Sequence, residues 1–276
     1  MPKKVCLVNM KGGVGKSTFT VQLAWHFAAY PNWLKRVLVV DTDPQFNASQ
    51  YLLGLDKYRQ LREGGKPTLW DLYRWPVDAP EAVSAKDAVV KVVRMKNGGL
   101  LDIIPSQPEL ATALKEPRDK ESTLAKTVKE IEEGYDLILI DCPPTESLFT
   151  SSAYLASDYA LIPVRPEFLS TIGLPLIRNS LDRFHTEHPD HELRLAGVVF
   201  NATTNQGKEE QTAKAEVVDL ATSLGWYVFR SEVKYSRAFP NSARLGKPLF
   251  WTPRARENSI TGFHALADEL AQRLGI

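Results

Sequence analysis

The sequence predicts an α/β protein: one doubly wound, mostly parallel sheet with helices on both faces. Three observations carry this. Six short runs, at 5–9, 36–41, 101–105, 135–141, 159–164 and 195–201, are apolar at consecutive positions instead of alternating, as strands buried on both faces are. Helical stretches separate them, at 16–29, 109–114, 124–133, 147–155, 171–185 and 208–224, and a last helix at 260–274 closes the chain. A glycine-rich loop joins the first strand run directly to the first helix.

Sheet-forming runs continue to about residue 229 with no Gly/Ser-rich or Pro-rich linker, so residues 1–276 are expected to form a single domain although their length could supply two. The least regular stretch is 56–97, which holds Gly64-Gly65-Lys66-Pro67 and the aromatics Trp70, Tyr73 and Trp75. It is expected to be a peripheral helical insertion whose aromatics cap the core. In the last helix Phe263, Leu266, Leu270 and Leu274 make an apolar stripe that should pack on the core.

Composition narrows the function. With 43% hydrophobic and 24% charged residues the chain has an ordinary globular balance. A net charge of +1 excludes a uniform basic field, so any binding to nucleic acid or anionic lipid needs a local patch. Cys6 and Cys142 cannot build a disulfide framework and imply a reducing compartment. No apolar run approaches the roughly 20 residues that span a bilayer. Met1-Pro2-Lys3-Lys4 leads straight into a strand, leaving no room for a signal peptide. A soluble cytoplasmic protein is the expectation.

The first strand run is followed by Lys11-Gly12-Gly13-Val14-Gly15-Lys16-Ser17-Thr18, and this opens a helix. Strand, glycine loop and helix are the setting a P-loop requires. Closely spaced backbone N–H groups wrap phosphates where glycine removes the Cβ obstruction, and the helix N-terminus adds its positive dipole. In such a loop Lys16 reaches the β- and γ-phosphates and the Ser17 hydroxyl ligates Mg²⁺. A nucleoside triphosphate with Mg²⁺ is therefore the expected ligand, on a P-loop NTPase fold.

Two further runs end in acids. Arg36-Val37-Leu38-Val39-Val40-Asp41-Thr42-Asp43-Pro44-Gln45 places two carboxylates at the C-terminal edge of a strand, where α/β sheets bind ligands. Leu137-Ile138-Leu139-Ile140-Asp141-Cys142-Pro143-Pro144 is the second, an apolar run closing on aspartate as in Walker B. Cys142 has no partnered histidine at useful spacing and reads as a packing thiol.

The glycine loop departs from the usual pattern by having Met10 where glycine is expected and Lys11 next to it. Lys-Gly-Gly-x-Gly-Lys-Ser-Thr resembles the deviant Walker A motif of the ParA/MinD family of ATPases. Asp-x-Asp-Pro-Gln and Asp-Cys-Pro-Pro resemble the switch I and switch II segments of its ParA branch. The resemblance implies that Lys11 crosses a dimer interface to touch the partner's nucleotide and that Asp43 orients the attacking water. It also implies that Asp41 supports the Mg²⁺ shell and that Asp141 binds Mg²⁺ through water. Catalysis would thus fall to Lys11, Lys16 and Asp43, nucleotide binding to residues 12–18, and the metal to Ser17, Asp41 and Asp141.

The likeness continues through Thr68-Leu69-Trp70-Asp71-Leu72, through 101–106 and through 162–174. Val198-Val199-Phe200-Asn201 is similar to the strand whose final asparagine reads the adenine edge, with an amide that offers both donor and acceptor. The late loop 236–248 is similar too, although Phe229-Arg230 stands where Pro-Arg is common. A nitrogenase-type iron protein is disfavoured, because neither cysteine is placed for a shared cluster. A MinD-type membrane ATPase is disfavoured because the last helix has a mixed polar face of Asp268, Glu269, Gln272 and Arg273 rather than a basic one. With no room before Lys3 for a helix-turn-helix, the chain resembles the short ParA forms.

Three functions compete at this point. The first is an ATP-dependent DNA-partition switch: a homodimer in the ATP state that binds DNA without sequence preference and is released when a centromere-binding-type or cargo adaptor protein stimulates hydrolysis. The second uses the same switch to position a protein cluster or organelle on the nucleoid. The third is a metabolic P-loop ligase, against which Lys11 and the 41–45 segment argue. For DNA the candidates are Arg230, Lys234, Arg237, Arg244, Lys247, Arg254 and Arg256. Only Glu232 opposes them, so this segment carries +6 and the rest of the chain −5.

Overall fold

The computed structural model describes residues 1–75, 82–96, 98–115, 120–204, 206–253 and 255–276, apart from the side chains of Phe168, Leu169 and Thr171. Its frame is an eight-stranded sheet. The strands are β1 (Lys3–Leu7), β2 (Arg36–Asp41), β3 (Val90–Arg94), β4 (Leu100–Ile104), β5 (Leu137–Asp141), β6 (Tyr159–Val164), β7 (Arg194–Thr203) and β8 (Val233–Lys234). Their order across the sheet is β3-β4-β2-β5-β1-β6-β7-β8, and every pairing is parallel except β3 on β4.

The strict alternation of side chains divides the apolar residues between two cores. Val5, Leu7, Val37, Val39, Leu137 and Leu139 face α1 (Lys16–Ala29) and the stripe Phe263, Leu266, Leu270 and Leu274 of α11 (Glu257–Leu274). Cys6, Leu38, Val40, Ile138 and Ile140 face the opposite layer. That layer includes α4 (Leu69–Arg74), α5 (Ala85–Ala88), α6 (Thr123–Ile131) and α7 (Leu148–Leu155), followed by α8 (Phe168–Glu187) and α9 (Lys208–Ser223). The central strands are buried on both faces, which is why their sequences run apolar without alternation. Each such side chain contributes roughly 1.5–3 kcal/mol of burial.

Three further helices join the α1 and α11 side: α2 (Asn47–Leu53) through Ala48, Leu52 and Leu53, α3 (Leu55–Glu63) through Tyr58 and Leu61, and α10 (Ala238–Leu245) through Ala238 and Phe239. The segment 56–97 supplies helices, as expected of it, but it also supplies β3. That strand pairs antiparallel at the sheet edge with a bulge between Lys91 and Val93, so the helical description is corrected there. Of its aromatics, Tyr73 is fully buried inside the core rather than capping it, while Trp75 is exposed. Residues 76–81 and 97 of the segment lie outside the described residues. The expected helix 109–114 is a 3-10 turn, Pro108–Lys115, with Leu110 and Ala113 as its inward anchors.

Candidate functional site

The strand order sets the site. β5 lies between β1 and β2, with Leu7 opposite Asp141 and Asp141 opposite Asp41. Two carboxylates therefore stand side by side at the C-terminal edge of the sheet, and the glycine loop leaves β1 beside them. The loop turns through left-handed backbone at Gly13 (φ 74°) and Gly15 (φ 104°). At Gly15 a Cβ would also come within 2.1 Å of the Asn201 amide nitrogen, so only glycine fits. Helix α1 starts there with no side-chain cap and no acid in its first turn, leaving its N-terminal amides for an anion.

A cleft of about 290 Å³ opens over this loop. Gly12, Gly13, Gly15, Lys16, Ser17 and Thr18 line it, and Asp43, Gln45, Asn47, Tyr51 and Pro144 close its other walls. Lys16 is buried, and its ammonium donates to the carbonyls of Asn9 (2.9 Å) and Lys11 (3.0 Å). Burial lowers its pKa, against the opposing charges of Asp141, Cys142 and Asp43. Asp141 is fully buried: one oxygen accepts from Thr20 at 3.1 Å, and the other has no partner. Burial first, then Asp43, pushes its carboxyl up to about 7, while Ser17, Lys16 and Thr20 pull the other way. Asp43 is also raised by burial, held back by the Gln45 amide and by Lys16.

Several expected residues are differently engaged. Asp41 has its oxygens on the Ser49 amide (2.8 Å), the Ser49 hydroxyl (2.6 Å) and the Asp43 amide (3.2 Å), so it braces the loop rather than facing the cleft. Burial, then Asp141, raises its carboxyl well above the usual range. Lys11 is held by Glu167 at 2.6 Å, which depresses the Glu167 carboxyl. Val14 is buried with its carbonyl accepting from the Asn201 amide at 2.7 Å, which ties the end of β7 to the glycine loop.

The basic segment lies elsewhere, around β8, α10 and the start of α11. Arg230, Lys234, Arg237, Arg244, Lys247 and Arg256 are all exposed. Among the described residues none of these six is in an ion pair. Lys234, Arg237 and Arg256 share one cleft with Tyr235, Asn258 and Ser259. Glu232, the one opposing acid, is bound to Lys214 of α9 at 2.5 Å. Arg254 lies outside the described residues.

Thr20, Ser49 and Glu167 are site residues that sequence reasoning missed. Thr20 follows Lys16 by one helical turn, a spacing that could have placed it on the face of α1 turned toward the sheet. Glu167 had no such signal, being 156 residues from Lys11.

Residues 2–194 match the family model described as an AAA domain. Among relatives, the sporulation initiation inhibitor protein Soj of Bacillus subtilis is 31% identical over 287 residues, spanning 98% of this chain and 99% of that protein. The chromosome-partitioning ATPase Soj of Treponema pallidum is 29% identical over 278 residues, spanning 100% and 99%. Among solved structures, apo McdA of Cyanothece superposes with a TM-score of 0.80 at 20% identity, covering 98% of this chain and 100% of that one. With its P-loop, its paired strand-end carboxylates and these relatives, the chain belongs to the ParA/Soj family of AAA-domain partition ATPases.

Proposed function

We propose that this chain is an ATP-dependent dimerising switch that binds DNA without sequence preference and hydrolyses ATP to segregate it. One observation carries the reading. Lys16, Ser17, Asp43 and the glycine-loop backbone converge on one cleft, and Lys16 and Asp43 act electrostatically on the buried carboxyl of Asp141.

ATP fits the loop because the exposed turn at Gly12 and Gly13 and the uncapped N-terminus of α1 offer N–H groups to its phosphates. Lys16 needs only to exchange two carbonyl partners for the β- and γ-phosphates. Mg²⁺ suits the hydroxyl of Ser17, a hard oxygen donor, and Asp141 would hold it through water from the oxygen left without a partner. Water and the nucleotide's own oxygens would complete the shell, since Mg²⁺ keeps several waters and takes few protein ligands. The bound ion would neutralise charge on the β- and γ-oxygens. Asp43, on the cleft wall, orients the attacking water, and burial makes it the stronger acceptor for that purpose.

Lys11 leaves Glu167 on dimerisation and reaches the partner's phosphates. Asn201 keeps its amide nitrogen on the loop and turns its oxygen toward the base. The unpaired basic residues at 230–256 meet DNA phosphates, and a symmetric dimer doubles them. A centromere-binding-type adaptor then stimulates hydrolysis on the nucleoid, in the cytoplasm. No helix among the described residues is long and apolar enough to cross a membrane.

Light scattering with ATP tests the switch. The 30.9 kDa chain should double in mass with ATP and not with ADP. Lys11→Ala should bind ATP yet stay monomeric. A Lys11→Ala protein that dimerises like wild type would remove the cross-interface lysine from the account.

A further inference from the structure

The loop that carries Asp43 is held by side chains that lie outside the nucleotide cleft. Helix α2 begins after Phe46, a residue in left-handed conformation (φ 47°, ψ 33°) with no side-chain acceptor for the helix's first amides. Asp41 takes over that task from across the loop, accepting the Ser49 amide in the first turn of α2. The Ser49 hydroxyl donates to Asp41 and accepts the Ser106 amide at 2.9 Å, tying the loop to the end of β4. The Ser106 carbonyl accepts from the Tyr58 hydroxyl at 2.9 Å. Finally the Tyr58 ring, on α3, stacks on Phe46 with centroids 5.2 Å apart and planes 9° from parallel.

These contacts form a closed ring, and Asp43 sits inside it. Its carbonyl accepts the Phe46 amide (2.8 Å) and its side chain the Gln45 amide (2.9 Å). A bulky residue persists in left-handed backbone only where its surroundings over-determine it. Here the Tyr58 stack supplies that determination.

We propose that Tyr58 and Ser49 are positioning residues for hydrolysis: together with Ser106 they clamp Phe46 and the 41–49 loop, and so fix where Asp43 holds water. This rests on the ATPase reading above. The clamp leaves the glycine loop and Lys16 untouched but holds Gln45 and Asn47 on the cleft wall, so it governs turnover more than nucleotide binding. A water-positioning group misplaced by even about 1 Å loses roughly two orders of magnitude in rate.

The test measures kcat, nucleotide Kd and amide hydrogen exchange for wild type, Tyr58→Ala, Tyr58→Phe and Ser49→Ala. Loss of the stack in Tyr58→Ala, and loss of the hydroxyl in Ser49→Ala, should each lower kcat about tenfold or more and change Kd by a smaller factor than kcat. Exchange across 42–49 should rise at least tenfold in both, while exchange in α1 stays as in wild type. Tyr58→Phe keeps the ring and should keep most of the turnover, which a generally loosened fold would not reproduce. Unchanged exchange at 42–49 in Tyr58→Ala overturns the clamp, whatever the turnover. A wild-type protein without ATP hydrolysis overturns the ATPase reading instead, and the exchange data still decide the clamp.

Discussion

The centre of the sheet and its β8 edge handle charge in opposite ways. At the centre, Lys16, Asp41, Asp43 and Asp141 are all buried within one cluster, and the titration of each is shifted by another of them. At the edge, six basic side chains are exposed and none is in an ion pair among the described residues. Buried charges sit in low dielectric, where each depends steeply on its neighbours. Exposed ones are screened and act nearly independently on a polyanion. Losing one central group should therefore be all-or-none, whereas losing edge groups should be graded and salt-dependent.

Lys16→Ala offers the largest effect. It removes the only ammonium lining the cleft among the described residues, and ATP binding should vanish in a calorimetric titration. An affinity near wild type would end the P-loop assignment. Asp43→Ala comes next: turnover should fall by two orders of magnitude or more while ATP-bound dimers persist, since assembly does not use this carboxylate. Wild-type turnover would move water positioning to another residue.

At the edge the effects are graded. Arg237→Glu with Arg256→Glu should weaken DNA binding by stages and flatten the slope of log affinity against log salt by about 1.8, at roughly 0.9 per lost phosphate contact. ATP-induced dimers should be unaffected. A double variant with the wild-type slope would place the DNA face elsewhere.

The smallest effect concerns stability, at a buried site that neither region uses. His26 on α1 is buried with Nδ1 2.8 Å from Nδ1 of His264 on α11, and its Nε2 has no partner. Tyr30 stacks on His26 and lies tilted against His264, and Asp268 acts on His264. Burial, then His264, holds His26 down to about 3 from the ordinary 6.5. The folded protein therefore stays neutral there while the unfolded chain protonates below pH 6.5. This part of the stability is complete above 6.5 and declines as pH falls toward 3, by about 1.4 kcal/mol at pH 5.5. His26→Phe should lose that difference in melting curves taken at pH 7.5 and 5.5; an equal pH dependence would show that His26 is not the group responsible.

The same contrast explains what the sequence revealed. The bounds of α1, β2 and β6 coincide with those read from the sequence, because burial on both faces imposes continuous apolar runs and the glycine loop marks where α1 begins. The edges were harder. β3 carries exposed Lys91 and Arg94 and a bulge, and β8 is two residues long, so pairing rather than pattern makes them strands. In α10, Pro240 near the start hid a helix that the contacts of Gln22 with Ser242 and the Leu249 amide hold in place. At the site, residues adjacent in sequence were legible, whereas the bracing of Asp41 by Ser49 and of Lys11 by Glu167 depends on how the chain folds back.

The central claim is that nucleotide state at the buried centre controls DNA affinity at the exposed edge. Its most direct test is fluorescence anisotropy of a random-sequence duplex titrated with Asp43→Ala protein in ATP, in ADP and without nucleotide, at several salt concentrations. The account predicts tight, steeply salt-dependent binding in ATP alone, independent of duplex sequence. Equal binding in all three states, or none in ATP, would contradict it.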